Sequence, residues 1–125
     1  MGGRSKILVV DDNLNFLQLI DVELSMDHEI LTALDGQEGL DKAKAEHPDV
    51  ILMDVMMPKV SGLEMLRMLL ADEETRDIPV LIMTASHFDP STEMIFKQER
   101  NVKGFLQKPY TISVLKEAIS AAVKK

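Results

Sequence analysis

The run Val50-Ile51-Leu52-Met53-Asp54 constrains this chain more than any other stretch. Four successive apolar residues predict a strand covered on both faces, as in the middle of a parallel sheet. Asp54 closes the run, and Val55-Met56-Met57-Pro58 leads the chain away. A carboxylate at the carboxyl end of a central parallel strand stands where open α/β sheets place their ligands. On its own such an aspartate is a helix cap or a turn residue, and only its company elsewhere in the chain says otherwise.

Strand and helix patterns alternate on either side of that run. Ile7-Leu8-Val9-Val10 is a second apolar run, ending in Asp11-Asp12-Asn13. From Leu14 to Met26 the spacing turns helical, with Phe16, Leu17, Ile20 and Leu24 on one face. Glu29 to Ala33 reads as a less apolar strand nearer an edge. Asp35-Gly36-Gln37-Glu38 has the form of a capping box opening a helix to Glu46, which His47-Pro48-Asp49 breaks. After Asp54, Ser61-Gly62-Leu63-Glu64 is a second capping box, and Leu63, Leu66, Leu69 and Leu70 give its helix a buried face. Ile78 to Met83 is the fourth strand, stopping at Thr84. Asp89-Pro90 predicts the start of a helix to Arg100, with Asn101 closing it in a left-handed conformation. Gly104 to Gln107 is the fifth strand, ending at Lys108-Pro109. The last helix spans Thr111 to Val123, with Val114, Leu115, Ala118, Ile119, Ala122 and Val123 on one stripe. Five strands alternating with five helices predict an α/β fold, a doubly wound five-stranded parallel sheet with helices on both faces. At 125 residues this is one domain, expected over residues 6–125 behind a loose end at 1–5. Nothing after the last helix reads as an output domain.

Composition removes several classes of function. With 14 basic against 21 acidic residues the net charge is −7, which disfavours binding to nucleic acid or an anionic membrane. The absence of Cys rules out a disulfide framework, a thiolate metal site and a Cys nucleophile, and it fits a cytoplasmic setting. No apolar stretch approaches transmembrane length. His28, His47 and His87 fall in or beside loops and are expected to face solvent, and the Met residues at 53, 56, 57, 65, 68 and 83 to serve packing.

The chemistry gathers at the strand ends. Asp11 and Asp12 end the first strand, Asp54 the third, Thr84 the fourth and Lys108 the fifth. In a parallel sheet these ends share one edge. Three carboxylates brought together repel unless a cation sits among them. Oxygen ligands without His or Cys favour Mg²⁺. A lysine opposite and a hydroxyl nearby complete a site for a tetrahedral anion on one carboxylate, so the reading is phosphoryl transfer to an aspartate.

Four motifs, Val9-Val10-Asp11-Asp12-Asn13, Leu52-Met53-Asp54-Val55-Met56-Met57-Pro58, Ile82-Met83-Thr84-Ala85 and Gly104-Phe105-Leu106-Gln107-Lys108-Pro109, stand in order at strand ends. With them the chain resembles the receiver domain of bacterial two-component response regulators, of the chemotaxis-regulator type, over about residues 5–124. The resemblance implies a flavodoxin-like sheet of order 2-1-3-4-5. It implies that Asp54 accepts a phosphoryl group from the phosphohistidine of a sensor histidine kinase or a histidine phosphotransfer protein. It implies Mg²⁺ held by Asp12, Asp54 and the Met56 backbone carbonyl, with Asp11 on a metal-bound water. Thr84 and Lys108 would bind phosphoryl oxygens, Phe105 would change rotamer on activation, and Lys108-Pro109 would be cis. The face of the fourth helix, fifth strand and fifth helix would then engage a downstream effector or output domain. Met56 and Ser86 would flank the attacking water and, Met56 being unable to orient it, self-hydrolysis should be slow.

The chain departs from the family pattern in places. Lys59-Val60-Ser61-Gly62 replaces a commoner acidic loop, and Gln107 and Tyr110-Thr111 lack the charges associated with the DNA-binding winged-helix subfamily. The alternative is an aspartyl-phosphate hydrolase of the haloacid dehalogenase type, which wants its nucleophile after the first strand with a second Asp two residues later; Asp11-Asp12-Asn13-Leu14 does not supply it. A flavodoxin-like or dinucleotide carrier would need a Gly-rich or Ser/Thr-rich phosphate loop after the first strand, and none is present.

Overall fold

The computed structural model describes residues 5–54, 62–84, 94, 98–99, 101–107 and 112–123, with the backbone alone at 62, 63, 84, 105, 107, 112 and 123. Five parallel strands, β1 (Ser5–Val10), β2 (His28–Ala33), β3 (Val50–Asp54), β4 (Val80–Thr84) and β5 (Val102–Gln107), form one sheet in the order β2-β1-β3-β4-β5. The helices are α1 (Leu14–Leu24), α2 (Gly36–Glu46), α3 (Gly62–Ala71) and α4 (Ile112–Val123), the last being the fifth of those expected. The helix expected over 90–100 lies largely outside the described residues; within it, Met94 is helical and its carbonyl accepts the Gln98 N–H at 3.1 Å.

Alternate residues of each strand feed opposite cores, as the pleat requires. Leu8, Val10, Ile51, Met53 and Ile82 pack with Leu40, Ala43, Met65, Leu66 and Leu69 of α2 and α3. Ile7, Val9, Leu52, Leu81 and Met83 pack with Leu17, Ile20 and Leu24 of α1 and Leu115 and Ile119 of α4. The apolar runs are therefore buried on both sides, and every residue of β3 is buried. β2 is at the sheet's edge, in line with its lower apolar content.

The capping box at Asp35 forms, with Asp35 Oδ1 accepting the Glu38 N–H at 2.8 Å. Glu38 reaches back one residue further than expected, accepting the Leu34 N–H at 2.9 Å. Ser61 of the second box lies outside the described residues. Gly39 sits where α2 presses hardest on the sheet: a Cβ there would stand 2.8 Å from Val10 Cγ2 and 3.0 Å from Met65 Cε.

Several expectations need correcting. β1 already includes Ser5, paired with His28. Among the described residues only His47 has positive φ (51°), capping α2 just before Pro48, so Asn101 is not left-handed. Asn101 leads straight into β5 instead, its carbonyl accepting the Val80 N–H at 2.7 Å. His28 belongs to β2 and is half-buried rather than solvent-facing. Val114 is 46% exposed and Met68 41%, so neither is core. α1 ends at Leu24, two residues early, with Ser25 as its cap.

Candidate functional site

Register brings the acids together. Val10 pairs with Met53 across β1 and β3, so Asp11 and Asp54, each the next residue, emerge side by side at the carboxyl edge. Asp54 in turn pairs with Met83 of β4, and Thr84 with Gln107 of β5. Asp11, Asp54, Thr84 and the residue preceding Lys108 thus reach one edge of the sheet, as the strand-end reading expects.

The Asp11-Asp12-Asn13 turn has a division of labour. Asp11 is 1% exposed; its N–H donates to the Ala33 carbonyl at 3.0 Å and its Oδ1 accepts the Asn13 N–H at 2.9 Å, an aspartate turn of the ordinary kind. Asn13 is the N-cap of α1, its Oδ1 accepting the Phe16 N–H at 3.1 Å. Neither aspartate is spent as the cap. Asp12 is held between these anchored neighbours with its side chain exposed. Asn13 is the one contributor the sequence reading passed over, and its position directly before a helical pattern was the available signal.

One carboxylate oxygen from each of Asp11, Asp12 and Asp54 lies within 4.8 Å of the others. Around a Mg²⁺ with ligands at about 2.1 Å, opposite oxygens stand about 4.2 Å apart and adjacent ones about 3 Å, so this cluster needs only small side-chain adjustment to share one ion. The donor set is all oxygen, which suits a hard divalent cation. Asp54 is 6% exposed, buried beside the likewise buried Asp11. Thr84 and Phe105 are placed by their strands through backbone alone, while Met56, Ser86 and Lys108, with the Lys108-Pro109 bond, lie outside the described residues.

The chain matches the family model described as the response regulator receiver domain over residues 7–120. It belongs to that family. The protein PilH of Pseudomonas aeruginosa is 33% identical to this receiver over 120 residues, covering 95% of this chain and 98% of its own. The polar-differentiation response regulator DivK of Brucella ovis is 35% identical over 118 residues, 94% of either chain. The structure of the chemotaxis protein CheY4 of Vibrio cholerae superposes with a TM-score of 0.87 at 28% identity, over 96% of this chain and 99% of that one. The receiver reading and the 2-1-3-4-5 flavodoxin-like fold both stand, and the haloacid dehalogenase alternative finds no support. Receivers are signalling modules of two-component systems, working with histidine kinases and downstream effectors. Among the described residues no helix is long and apolar enough to cross a membrane.

Proposed function

We propose that Asp54 is the phosphoacceptor of this receiver and that the Asp11–Asp12–Asp54 cluster is its Mg²⁺ site. The observation that carries this reading is the convergence of the three carboxylates within 4.8 Å at the carboxyl edge of the sheet. An Asp54 carboxylate oxygen attacks the phosphorus of a phosphohistidine, the P–N bond breaks, and an acyl phosphate remains on Asp54. Bound Mg²⁺ supplies neutralisation of charge on the phosphoryl oxygens. Asp12 and Asp54, with the Met56 carbonyl, would hold that ion, and Asp11, whose Oδ1 accepts the Asn13 N–H, would act through a water. Lys108 and Thr84 take the remaining phosphoryl oxygens, beyond strand ends that the β4–β5 register aligns.

The switch follows from Thr84. Its hydroxyl moves toward the new acceptor, and Phe105, lacking a hydroxyl, turns inward by packing alone. A population shift of this kind requires differential contacts in the two states. The altered face is made by residues 90–100, β5 and α4, and it engages an effector or output domain. Residues 6–125 act as a single receiver in the cytoplasm, taking phosphate from a sensor histidine kinase or a histidine phosphotransfer protein and binding neither nucleic acid nor membrane directly.

Incubation with acetyl phosphate and Mg²⁺ should add one base-labile phosphoryl group, read by intact mass and lost in Asp54→Asn. Equal labelling of Asp54→Asn, or labelling in the presence of a chelator, overturns the assignment.

A further inference from the structure

The end of α3 carries the wrong charge for a helix terminus. Its carbonyls present the negative end of the helix dipole, where cations are favoured. No basic residue occupies its last turn. Three consecutive acids follow instead, Asp72, Glu73 and Glu74. The loop that bears them is fixed, not loose. The buried Thr75 hydroxyl donates to the Leu69 carbonyl at 2.7 Å, and the Asp72 carbonyl accepts the Thr75 and Arg76 N–H groups at 3.1 and 2.9 Å. Among the described residues the only ion pair in this loop joins Asp72 to Lys44 of α2 at 3.5 Å, and Glu73 and Glu74 make none there.

These acids rim a groove of about 700 Å³ between α2 and α3, with Leu40, Met68 and Ala71 in its apolar wall. Met68 is 41% exposed there, and an unbranched thioether adapts to irregular apolar partners. Lys44 marks where an ammonium group settles on this rim.

We propose that the α2–α3 groove docks a basic segment of a partner protein, seating an apolar side chain beside Met68 and a Lys or Arg against Glu73, Glu74 and the α3 terminus. Charge complementarity selects the occupant: an open groove of mixed polar and apolar lining at a helix C-terminus, whose Glu73 and Glu74 make no ion pair among the described residues, favours cations and repels another copy of this acidic chain. The groove lies on the layer of α2 and α3, across the sheet from α1 and α4. A segment held there leaves the α4 side free, so one receiver can hold two partners.

The test is ¹H–¹⁵N NMR titration of the unphosphorylated, Mg²⁺-free protein with a short amphipathic Leu/Lys peptide, capped at both ends. Shifts should centre on Leu40, Lys44, Met68 and residues 71–74. Binding should weaken about tenfold in Glu73→Lys/Glu74→Lys, since rim charges set salt-dependent attraction. Met68→Asp separates groove from charge: it should weaken binding too, whereas attraction by charge alone would hold or strengthen. A Ser/Lys peptide of equal charge should bind about tenfold less tightly, in line with one lost apolar anchor. Shifts centred on Asp11, Asp12 and Asp54, equal binding by either variant or the Ser/Lys peptide, or a groove occupied by self-association each overturn the proposal.

Discussion

Asp11 and Asp54 stand together because Val10 and Met53 are partners across the β1–β3 ladder, which delivers the two acids to adjacent strand ends in the same register. Asp12 joins them through a turn that Asn13 anchors from the other side. Two of these carboxylates are buried and the third is exposed. That arrangement costs the metal-free protein electrostatic repulsion, and a divalent cation relieves it.

Magnesium should therefore stabilise the fold. At ten times its dissociation constant, a ligand that binds only the folded state adds about 1.4 kcal/mol. Asp12→Ala should remove most of this gain while leaving the metal-free protein as stable as wild type or more so, because it deletes one repelling charge at an exposed position. Thermal melts with and without millimolar Mg²⁺ decide it; a wild-type Tm unmoved by the ion would mean that the cluster does not share a cation.

Gly39 offers a test of how closely α2 must approach β1. A valine there would drive its methyl groups into Val10 and Met65, and Val10 is β-branched and slow to yield. Overpacking of this kind costs about 2 kcal/mol, more than the few tenths recovered by removing glycine from a helix. Gly39→Val should lower the urea midpoint accordingly. Val10→Ala should recover part of the loss when combined with it, because the two sites share one space. Strict additivity in that double-mutant cycle would place the strain elsewhere.

Much of this architecture was legible from residue pattern alone. The two-sided burial of β3 follows from its unbroken apolar run, and the acid at its end follows from strand polarity. What escaped was set by contacts distant in sequence or by competition between local rules. Asn101 and His47 both precede a possible chain reversal. His47 takes the left-handed cap because Pro48 forbids continuation of α2, whereas Asn101 sits in the turn that the Val102 N–H closes on the Glu99 carbonyl at 3.1 Å, its own carbonyl accepting the Val80 N–H. β4 and β5 also slip by one residue: Val80 pairs with Val102 but Leu81 with Gly104, leaving Lys103 extra. A glycine inside a strand signals such a bulge, and Gly104 was available to be read that way. The slip matters to function, since it sets Thr84 opposite Gln107 and so fixes where Lys108 begins.

Asn101 predicts a stabilising substitution. Its side chain is 3% exposed, and among the described residues neither its amide nitrogen nor its amide oxygen has a hydrogen-bond partner. A buried polar group left unpaired costs about 1–3 kcal/mol, and a leucine, with the same branched shape and number of side-chain heavy atoms, carries no such cost. The backbone carbonyl that serves Val80 is untouched by the change. Asn101→Leu should raise Tm by several degrees, on the scale of about 3–5 °C per kcal/mol for a domain of this size. A fall in Tm would show that the amide is satisfied in solution.

Asp72 predicts a pH dependence of definite sign. The Glu74 N–H donated to its Oδ1 at 2.9 Å, joined by the nearby charges of Lys44 and Arg76, holds its carboxyl below the ordinary value of 3.8. A carboxyl lowered in the folded state stabilises the protein above the unfolded pKa, and this contribution is lost as pH falls through the folded value. Asp72→Asn keeps an oxygen acceptor for the Glu74 amide but cannot ionise. Relative to that variant, wild type should lose stability between about pH 5 and pH 2, and the gap between their urea midpoints should be widest near neutrality. The effect is small, because the pair is solvent-exposed and salt screens it. If the two midpoints run parallel across this range at low salt, the Glu74 N–H and the neighbouring cations do not hold the Asp72 carboxyl below its ordinary value.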